Sequence, residues 1–374
     1  MSDLRARRYH RLQFWLGAAS FALGVIYLLA FLLGGVAHGV LAVAGRLSTA
    51  LAWQVACVAL VLGTGERLLT FALTWIRGWW LPRRYGLLHQ PLAAWLRDRI
   101  KAAAIGGAFG LVTVEVIYLL MAATRLWWLA AAGVLVTLEV LIAFVFPVWL
   151  IPLFYRLAPL TDDELRQRVF ALAARAGVPV VGVWVADQSR KSRTANAALA
   201  GLGRTRRIIL FDTLVSQFAP DEIEAVLAHE LGHHVHHDVW RGLAVQAVLT
   251  VLAFWIADRL LALGVALRGL TSPADPAGLP WLALVLLGVG LVTAPLAHAF
   301  SRRVERQADD FALGLVRHVD AFIGAMERLA ALNLAERRPH RLKELLFYSH
   351  PSIDRRIERA RRWHVARMDV PSRG

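Results

Sequence analysis

Ala228-His229-Glu230-Leu231-Gly232-His233-His234 holds the pattern His-Glu-x-x-His, and shortly beyond it a mostly apolar run begins at Val239. The residues ahead of the pattern carry helix-start chemistry: Pro220, then Asp221 and Glu222, where the helix dipole favours negative charge. Ile223, Val226 and Leu227 follow at helical spacing. On a helix, His229 and His233 are four residues apart and share one face. Two imidazoles on one face can hold a zinc ion. Glu230, beside the first, can reach a water on that ion and take its proton. That is the chemistry of peptide hydrolysis. The plainer alternative is a His-rich turn, since His234, His236 and His237 crowd the motif. A third ligand from elsewhere in the chain decides between them.

Composition places the motif in a membrane protein. Of 374 residues, 57% are hydrophobic, 14 are Trp, and the mean hydropathy is +0.51, above the range of soluble domains. Lys and Arg number 42 against 27 Asp and Glu, a net charge of +15. No motif of interleaved aromatic and basic residues points to nucleic acid, so the excess reads as basic loops that set topology and meet anionic lipid. The one cysteine, Cys57, excludes an intrachain disulfide or a Cys-based metal site.

Apolar runs long enough to span a bilayer fall at about 12–36, 49–75, 102–124, 126–154, 239–267 and 279–300. The expected fold is therefore an α-helical integral membrane protein, with about six transmembrane helices around a chamber and a small cytoplasmic α/β metallopeptidase element. Its parts are an N-terminal membrane region (1–154, four spans), the α/β segment with the His-Glu-x-x-His helix (155–238), two further spans (239–300) and a helical C-terminal segment (301–374). In 155–238 the pattern predicts a capping box at Thr161 opening a helix to about Ala176. It also predicts strands at 180–186, 194–199 and 207–211, with a Gly201-Leu202-Gly203 turn. The stretch 77–101 reads as a basic loop, and Pro147 and Pro152 as a kinked exit from the fourth span. Arginine and lysine concentrate on the side of both termini, which places the motif at the cytoplasmic face of a multi-pass protein, the inner membrane if the source is bacterial. Glu66, Glu115, Glu139 and Asp258 lie inside spans; they either pair helix to helix or line a water-filled cavity.

A candidate third ligand follows the sixth span in Ser301-Arg302-Arg303-Val304-Glu305-Arg306-Gln307-Ala308-Asp309. Glu305 supplies the carboxylate that a two-histidine site lacks for a catalytic zinc, and Asp309, one turn on, could orient a ligand histidine. A solvated charged helix is the alternative there.

Several blocks together resemble the membrane-integrated type I CAAX prenyl proteases, and more distantly the heat-shock-type bacterial membrane metalloproteases. They are Tyr85-Gly86-Leu87 with Asp98-Arg99-Ile100-Lys101, Ser189 to Ala197 with Arg207 to Leu214, the His229–His233 motif, Ser301 to Ala312, and Tyr348-Ser349-His350-Pro351-Ser352 with Arg356-Ile357. They occur in the family's order over about residues 50–362. The resemblance implies one zinc per chain held by His229, His233 and Glu305, with Glu230 as general base and Asp309 supporting a ligand histidine. It implies that Asn196 lies on an edge strand that pairs with an extended substrate, and that His350 and Arg356 steady the oxyanion. His298 is expected to be structural. The implied partners are a polypeptide substrate, possibly lipidated, and membrane lipid. The chain departs from the family in having six spans where seven are usual, in His234 after the second histidine, in Thr194 where a histidine is usual, and in lacking a long insert before the metal helix. These departures leave the zinc chemistry alone and bear on the substrate. Quality control of damaged membrane proteins is the alternative peptidase role; a non-catalytic pseudoprotease or a transporter is disfavoured by the complete ligand and base set and by the lack of an inverted repeat.

Overall fold

The computed structural model describes residues 2–145, 149–201 and 206–368. In it α1 (Ser2–Leu33) and α2 (Val36–Ala44) meet at Gly35, whose φ of 67° is the left-handed turn that glycine adopts readily. α3 (Leu51–Trp75) continues through a π-helical turn, Ile76–Trp80, into α4 (Leu81–Arg84). α5 (Leu92–Ala123), α6 (Trp127–Val145) and the short α7 (Ile151–Phe154) follow. Then come β1 (Leu157–Pro159), α8 (Asp163–Arg175), β2 (Gly182–Ala186), β3 (Ala197–Ala200), β4 (Arg207–Phe211) and α9 (Asp212–Gln217). α10 (Pro220–Val235) carries the His-Glu-x-x-His pattern, and α11 (Asp238–Arg268) and α12 (Leu279–Leu315) return through the membrane. α13 (Val319–Leu332), α14 (Arg341–Phe347) and α15 (Ile353–Met368) close the chain.

Among the described residues, six helices are long and apolar enough to cross a membrane: α1, α3 with α4, α5, α6, α11 and α12. They satisfy their own backbone groups, as hydrocarbon demands. They also leave large apolar side chains such as Phe71, Phe109, Leu141 and Trp255 facing outward. The protein is a multi-pass integral membrane protein.

The helices outrun the expected spans because hydropathy marks the lipid-buried stretch rather than the helix ends. α1 takes in the basic N-terminus. Most of 77–101, expected as a loop, is helical, and only residues 85–91 separate α4 from α5. Arg83 and Arg84 stabilise that end by stacking on Trp79 and Trp80, 5.3 and 5.1 Å from the ring centroids, where cations also suit the helix C-terminus. The sixth span does not stop at Phe300. Its helix continues unbroken to Leu315, so Glu305 and Asp309 ride on the membrane helix itself.

The sheet order is β1-β2-β4-β3, with β2 and β4 parallel and both outer pairs antiparallel. Three sequence expectations need correction here. α8 is capped by Asp162, whose Oδ1 accepts from the Leu165 amide at 3.0 Å, and not by Thr161. β3 starts at Ala197, not Thr194, because Gln188 Nε2 donates to Ser192 Oγ at 2.6 Å and Thr194 Oγ1 at 2.8 Å and holds that stretch in a turn. β2 starts at Gly182 rather than Val180, and β1 was not foreseen; three residues ending in proline give no period-2 signal, and proline is tolerated at the sheet edge. Pro147 and the turn residues Leu202 and Gly203 lie outside the described residues; Pro152 sits in the first turn of α7, where its missing N–H costs nothing.

Two cores result. One joins the membrane helices at the end away from α10, around Phe31, Val58, Tyr118, Trp127, Phe254 and Leu282. The other packs the sheet, α8, α10, α13 and α15 around Leu172, Leu210, Ile223, Leu227, Leu231 and Phe322. Of the charges inside spans, Asp258 accepts from Trp127 Nε1 at 2.8 Å and Glu139 Oε1 from Thr250 Oγ1 at 3.2 Å, which is helix-to-helix pairing. Glu115 Oε2 and Glu139 Oε2 are buried with no hydrogen-bond partner among the described residues.

Candidate metal centre

α10 begins as its sequence predicts. Pro220 fills the first turn, and Glu222 Oε2 accepts from the Ala219 amide at 2.8 Å. Its apolar face is buried in the second core, which leaves the histidine face turned toward α12. The two helices approach closely at Gly232. A Cβ there would stand 3.2 Å from Ala308 Cα and 3.3 Å from Ala308 O. That contact is backbone, so it cannot yield by swinging a side chain. Gly232→Val should push α10 from α12, cost about 1–3 kcal/mol of stability by overpacking, and lower bound metal. Unaltered metal content with an unaltered Tm would show that the close approach does not set the site.

Close approach brings Glu305 to the histidines. His229 Nε2 and His233 Nε2 lie 3.2 Å apart, and Glu305 Oε2 and Oε1 lie 3.3 and 3.5 Å from them respectively. Taking one ligand atom from each residue, all three lie within 4.8 Å of one another. A tetrahedral metal with bonds of about 2.0–2.1 Å sets its ligands roughly 3.3 Å apart. Glu305 Oε2 is also buried without a well-aligned hydrogen bond, although two imidazoles approach it. Nitrogens converging on each other and on an under-bonded buried carboxylate fit a divalent cation.

The other face of each imidazole is held. Asp309 Oδ1 lies 2.9 Å from His229 Nδ1, and Asp238 Oδ2 lies 3.0 Å from His233 Nδ1. Those contacts point both Nε2 atoms at the shared site. Asp238 escaped the sequence reading because it looks like an ordinary acidic residue in the first turn of a membrane helix. It reaches His233 because His237, left-handed at φ 56°, turns the chain sharply between α10 and α11. Arg241 Nη1 donates to Asp238 Oδ1 at 2.7 Å and to Gln307 Oε1 at 2.9 Å, tying α11 to α12.

Arg356, on α15, uses its fork on Asp309: Nη2 donates to Oδ1 at 2.6 Å and Nε to Oδ2 at 2.9 Å. It therefore sits behind His229, with Nη2 3.3 Å from His229 Nδ1. His350 Nδ1 lies 2.8 Å from Glu305 Oε2 on the open side of the cleft. Its loop is held from α12: Arg302 Nη1 donates to the carbonyls of Glu344, Leu345 and Tyr348, and His298 Nδ1 lies 2.8 Å from Leu346 O. His298 thus has the structural partner its sequence position suggested. Burial and Arg356 both pull the His229 pKa down, but the Asp309 and Glu305 carboxylates outweigh them and lift it to about 9. Burial pushes the Glu230 carboxyl up.

His229, Glu230, Glu305, His350 and Arg356 line a cleft of about 590 Å³. Glu230 opens into it with no hydrogen bond or ion pair from a described residue. Asn196, expected on the edge strand, lines it from the position just before β3, its Oδ1 accepting from the Ala197 amide at 2.9 Å, while its carbonyl takes the Phe211 amide at 3.1 Å. Phe211, Val226, Met326, Leu329 and Ile353 form its apolar wall. Through His10, Tyr348 and His350 it adjoins a larger groove of about 880 Å³ between α1, α12 and α14, walled by Phe14, Phe21, Leu291 and Phe347.

Residues 159–364 match the family model for peptidase family M48, and residues 4–156 match that for the CAAX prenyl protease N-terminal region of five membrane helices. The chain belongs to peptidase family M48. This M48 peptidase is a membrane metalloprotease. It is 30% identical over 305 residues to the uncharacterised metalloprotease YhfN of Bacillus subtilis, covering 80% of this chain and 71% of that one. It is 31% identical over 208 residues to CAAX prenyl protease 1 of Saccharomyces cerevisiae, covering 54% of this chain and 45% of that protein. The crystal structure of Saccharomyces mikatae Ste24p superposes with a TM-score of 0.82 at 25% identity, over 96% of this chain and 89% of that one. The matched region thus spans less than half of the S. cerevisiae relative and most of the B. subtilis one. Where the N-terminal family model describes five membrane helices, the described residues hold four of spanning length; α2, with nine residues, is too short to cross.

Proposed function

We propose that this M48 peptidase is a zinc endopeptidase that hydrolyses membrane-associated or lipidated polypeptides, with its site at the cytoplasmic face. The observation that carries the reading is the convergence of His229, His233 and Glu305 at the edge of a cleft lined by His229, Glu230 and Glu305. When bound there, zinc supplies Lewis acidity to a water and to the scissile carbonyl. Glu230 takes the proton of the attacking water on a carboxylate oxygen and passes it to the leaving amine; its raised pKa suits it to holding that proton in between. Asp309 and Asp238 keep the two imidazoles oriented. An extended peptide lies along the edge strand β3 beside Asn196. His350, and the Nη1 of Arg356 left over from its Asp309 fork, donate to the oxygen on which negative charge develops. Arg356 therefore has two duties, and the first, anchoring Asp309, is the one its contacts support directly.

Basic residues gathered on the side of both termini support the cytoplasmic placement. Buried Glu115 Oε2 and Glu139 Oε2, without partners among the described residues, support a wet chamber between the spans. The apolar groove beside His350 supports a substrate with a lipid or membrane-buried portion near the cleaved bond. Cleavage of farnesylated and non-lipidated versions of one peptide by the purified protein tests the substrate class. A higher kcat/KM for the lipidated form is expected. Equal rates would move the assignment to general quality control of membrane proteins, and no cleavage of either by metal-loaded protein would overturn it. Asp309→Asn should weaken metal binding about 10–100-fold, as loss of a supporting carboxylate does, measured by competition with a chromogenic chelator; unchanged affinity would remove Asp309 from that role.

A further inference from the structure

Away from the metal centre, two arginines meet in a cleft that holds no acidic group among the described residues. The cleft, about 360 Å³, lies between α1, the end of α3 and the start of α5. Its polar lining is Gln13, Ser20, Thr74, Arg77 and Arg99. The arginines are held in place. Arg77 Nε donates to Gln13 Oε1 at 3.1 Å, and Gln13 Nε2 returns a bond to the Arg77 carbonyl at 3.0 Å. The Arg99 guanidinium lies 5.2 Å from the Trp95 ring centroid. Glycines make room for both: a Cβ on Gly17 would stand 3.2 Å from Arg77 Cζ, and one on Gly78 would stand 3.1 Å from Arg99 Nη2. Neither arginine has an ion pair among the described residues, and the nearest acid in sequence, Asp98, is taken by Lys191 at 2.7 Å. The π-helical turn Ile76–Trp80 places Arg77 here, and such turns concentrate at functional sites.

Depth in the membrane narrows the ligand. Trp75 and Trp79 stack with ring centroids 6.0 Å apart and Trp95 packs beside Gly78 and Arg99, the kind of aromatic group that belts carry where headgroups begin. Snorkelling accounts for one long cationic side chain reaching that layer. It gives no reason for two guanidiniums to converge on one cleft, each fixed by a neutral partner. Like charges brought together without an acid call for an anion, and guanidinium forks match the oxygens of a phosphate.

We propose that Arg77 and Arg99 form a phosphate-binding site in the headgroup layer, with the Ser20 and Thr74 hydroxyls as additional donors. A phospholipid headgroup and free phosphate share that chemistry. Native mass spectrometry of the full chain released from detergent micelles separates them, with phosphatidylglycerol, the matching diacylglycerol and inorganic phosphate as probes. The wild-type protein should retain phosphatidylglycerol and not diacylglycerol, and an Arg77→Gln/Arg99→Gln variant should bind the phospholipid at least about tenfold more weakly, with an unchanged Tm and unchanged bound metal as the check on folding. Arg84→Gln removes an equal charge from an arginine stacked on Trp80, and should leave binding unchanged. Displacement of the lipid by inorganic phosphate identifies a site that also takes the free ion; resistance to displacement assigns it to the lipid. Should the double variant fail to fold, Arg99→Gln alone carries the comparison, with a loss of severalfold. Equal binding by wild type and variant, an equal loss in Arg84→Gln, or equal binding of diacylglycerol would each overturn the proposal.

Discussion

Glu230→Gln is expected to abolish measurable peptide cleavage while leaving bound metal at the wild-type level. The general-base contribution to such reactions is about 10²–10⁴-fold, so kcat should fall by at least that range. The substitution is close to isosteric, and no described residue hydrogen-bonds the Glu230 side chain, so no network is broken and Tm should hold. The Glu305 carboxylate and both imidazoles stay in place, which is why metal content separates loss of the base from loss of the site. Turnover retained within a few-fold of wild type would remove Glu230 from the base role. A variant that lost metal as well as activity would show Glu230 to be a ligand, contrary to its position in the cleft.

Glu305→Ala should have the second large effect, on metal rather than on chemistry alone. Bound metal should fall well below one per chain after dialysis, with affinity lowered by at least about a hundredfold, the upper end of what loss of a merely supporting residue costs. Glu305 is 5% exposed and faces His229, His233 and His350 together. Its removal leaves the imidazoles converging with no carboxylate among them, so a dication loses both a bond and part of its charge balance. Activity should fall with metal content and should not recover when excess zinc is added at concentrations that restore a chelator-treated wild-type enzyme. Unchanged metal content would refute the ligand assignment, and the two Nε2 atoms would then have to find their third partner in His350.

The contrast between the two variants follows from how the chain builds its site. His229, Glu230 and His233 are neighbours along one helix, so a single helical turn is enough to present them. Their pattern is local and could be read directly. The spans were legible for a related reason. Whether twenty residues can lie in hydrocarbon depends on their own side chains, and every predicted crossing corresponds to a long apolar helix. Resemblance to a family supplied the roles of His350 and Asn196, which no local pattern could.

Elsewhere local signals failed in recognisable ways. The basic stretch at 77–101 reads as a loop because charge interrupts the apolar run, yet arginines stacked on tryptophans prolong the helix. Hydropathy ended the sixth span at Phe300, but Arg302, Arg303, Glu305 and Arg306 are good helix formers and carry α12 on to Leu315. Asp238 resembled a first-turn acid, and nothing in its surroundings announced a contact with His233.

What the sequence determined by itself was the membrane class, the helix bearing His229 and His233, the carboxylate beside them proposed as the base and a short set of carboxylates from which the third partner had to come. Those are properties of composition and of spacing within one element. Only the folded chain decided that Glu305 stands 3.3 Å from His229, that Asp309 and Asp238 brace the two imidazoles from behind, that Arg356 clasps Asp309, and that Gly232 lets two helices touch. The physical reason is that convergence between elements some seventy residues apart depends on the packing of α10 against α12, where the absence of a single Cβ sets the distance; sequence spacing carries no record of that.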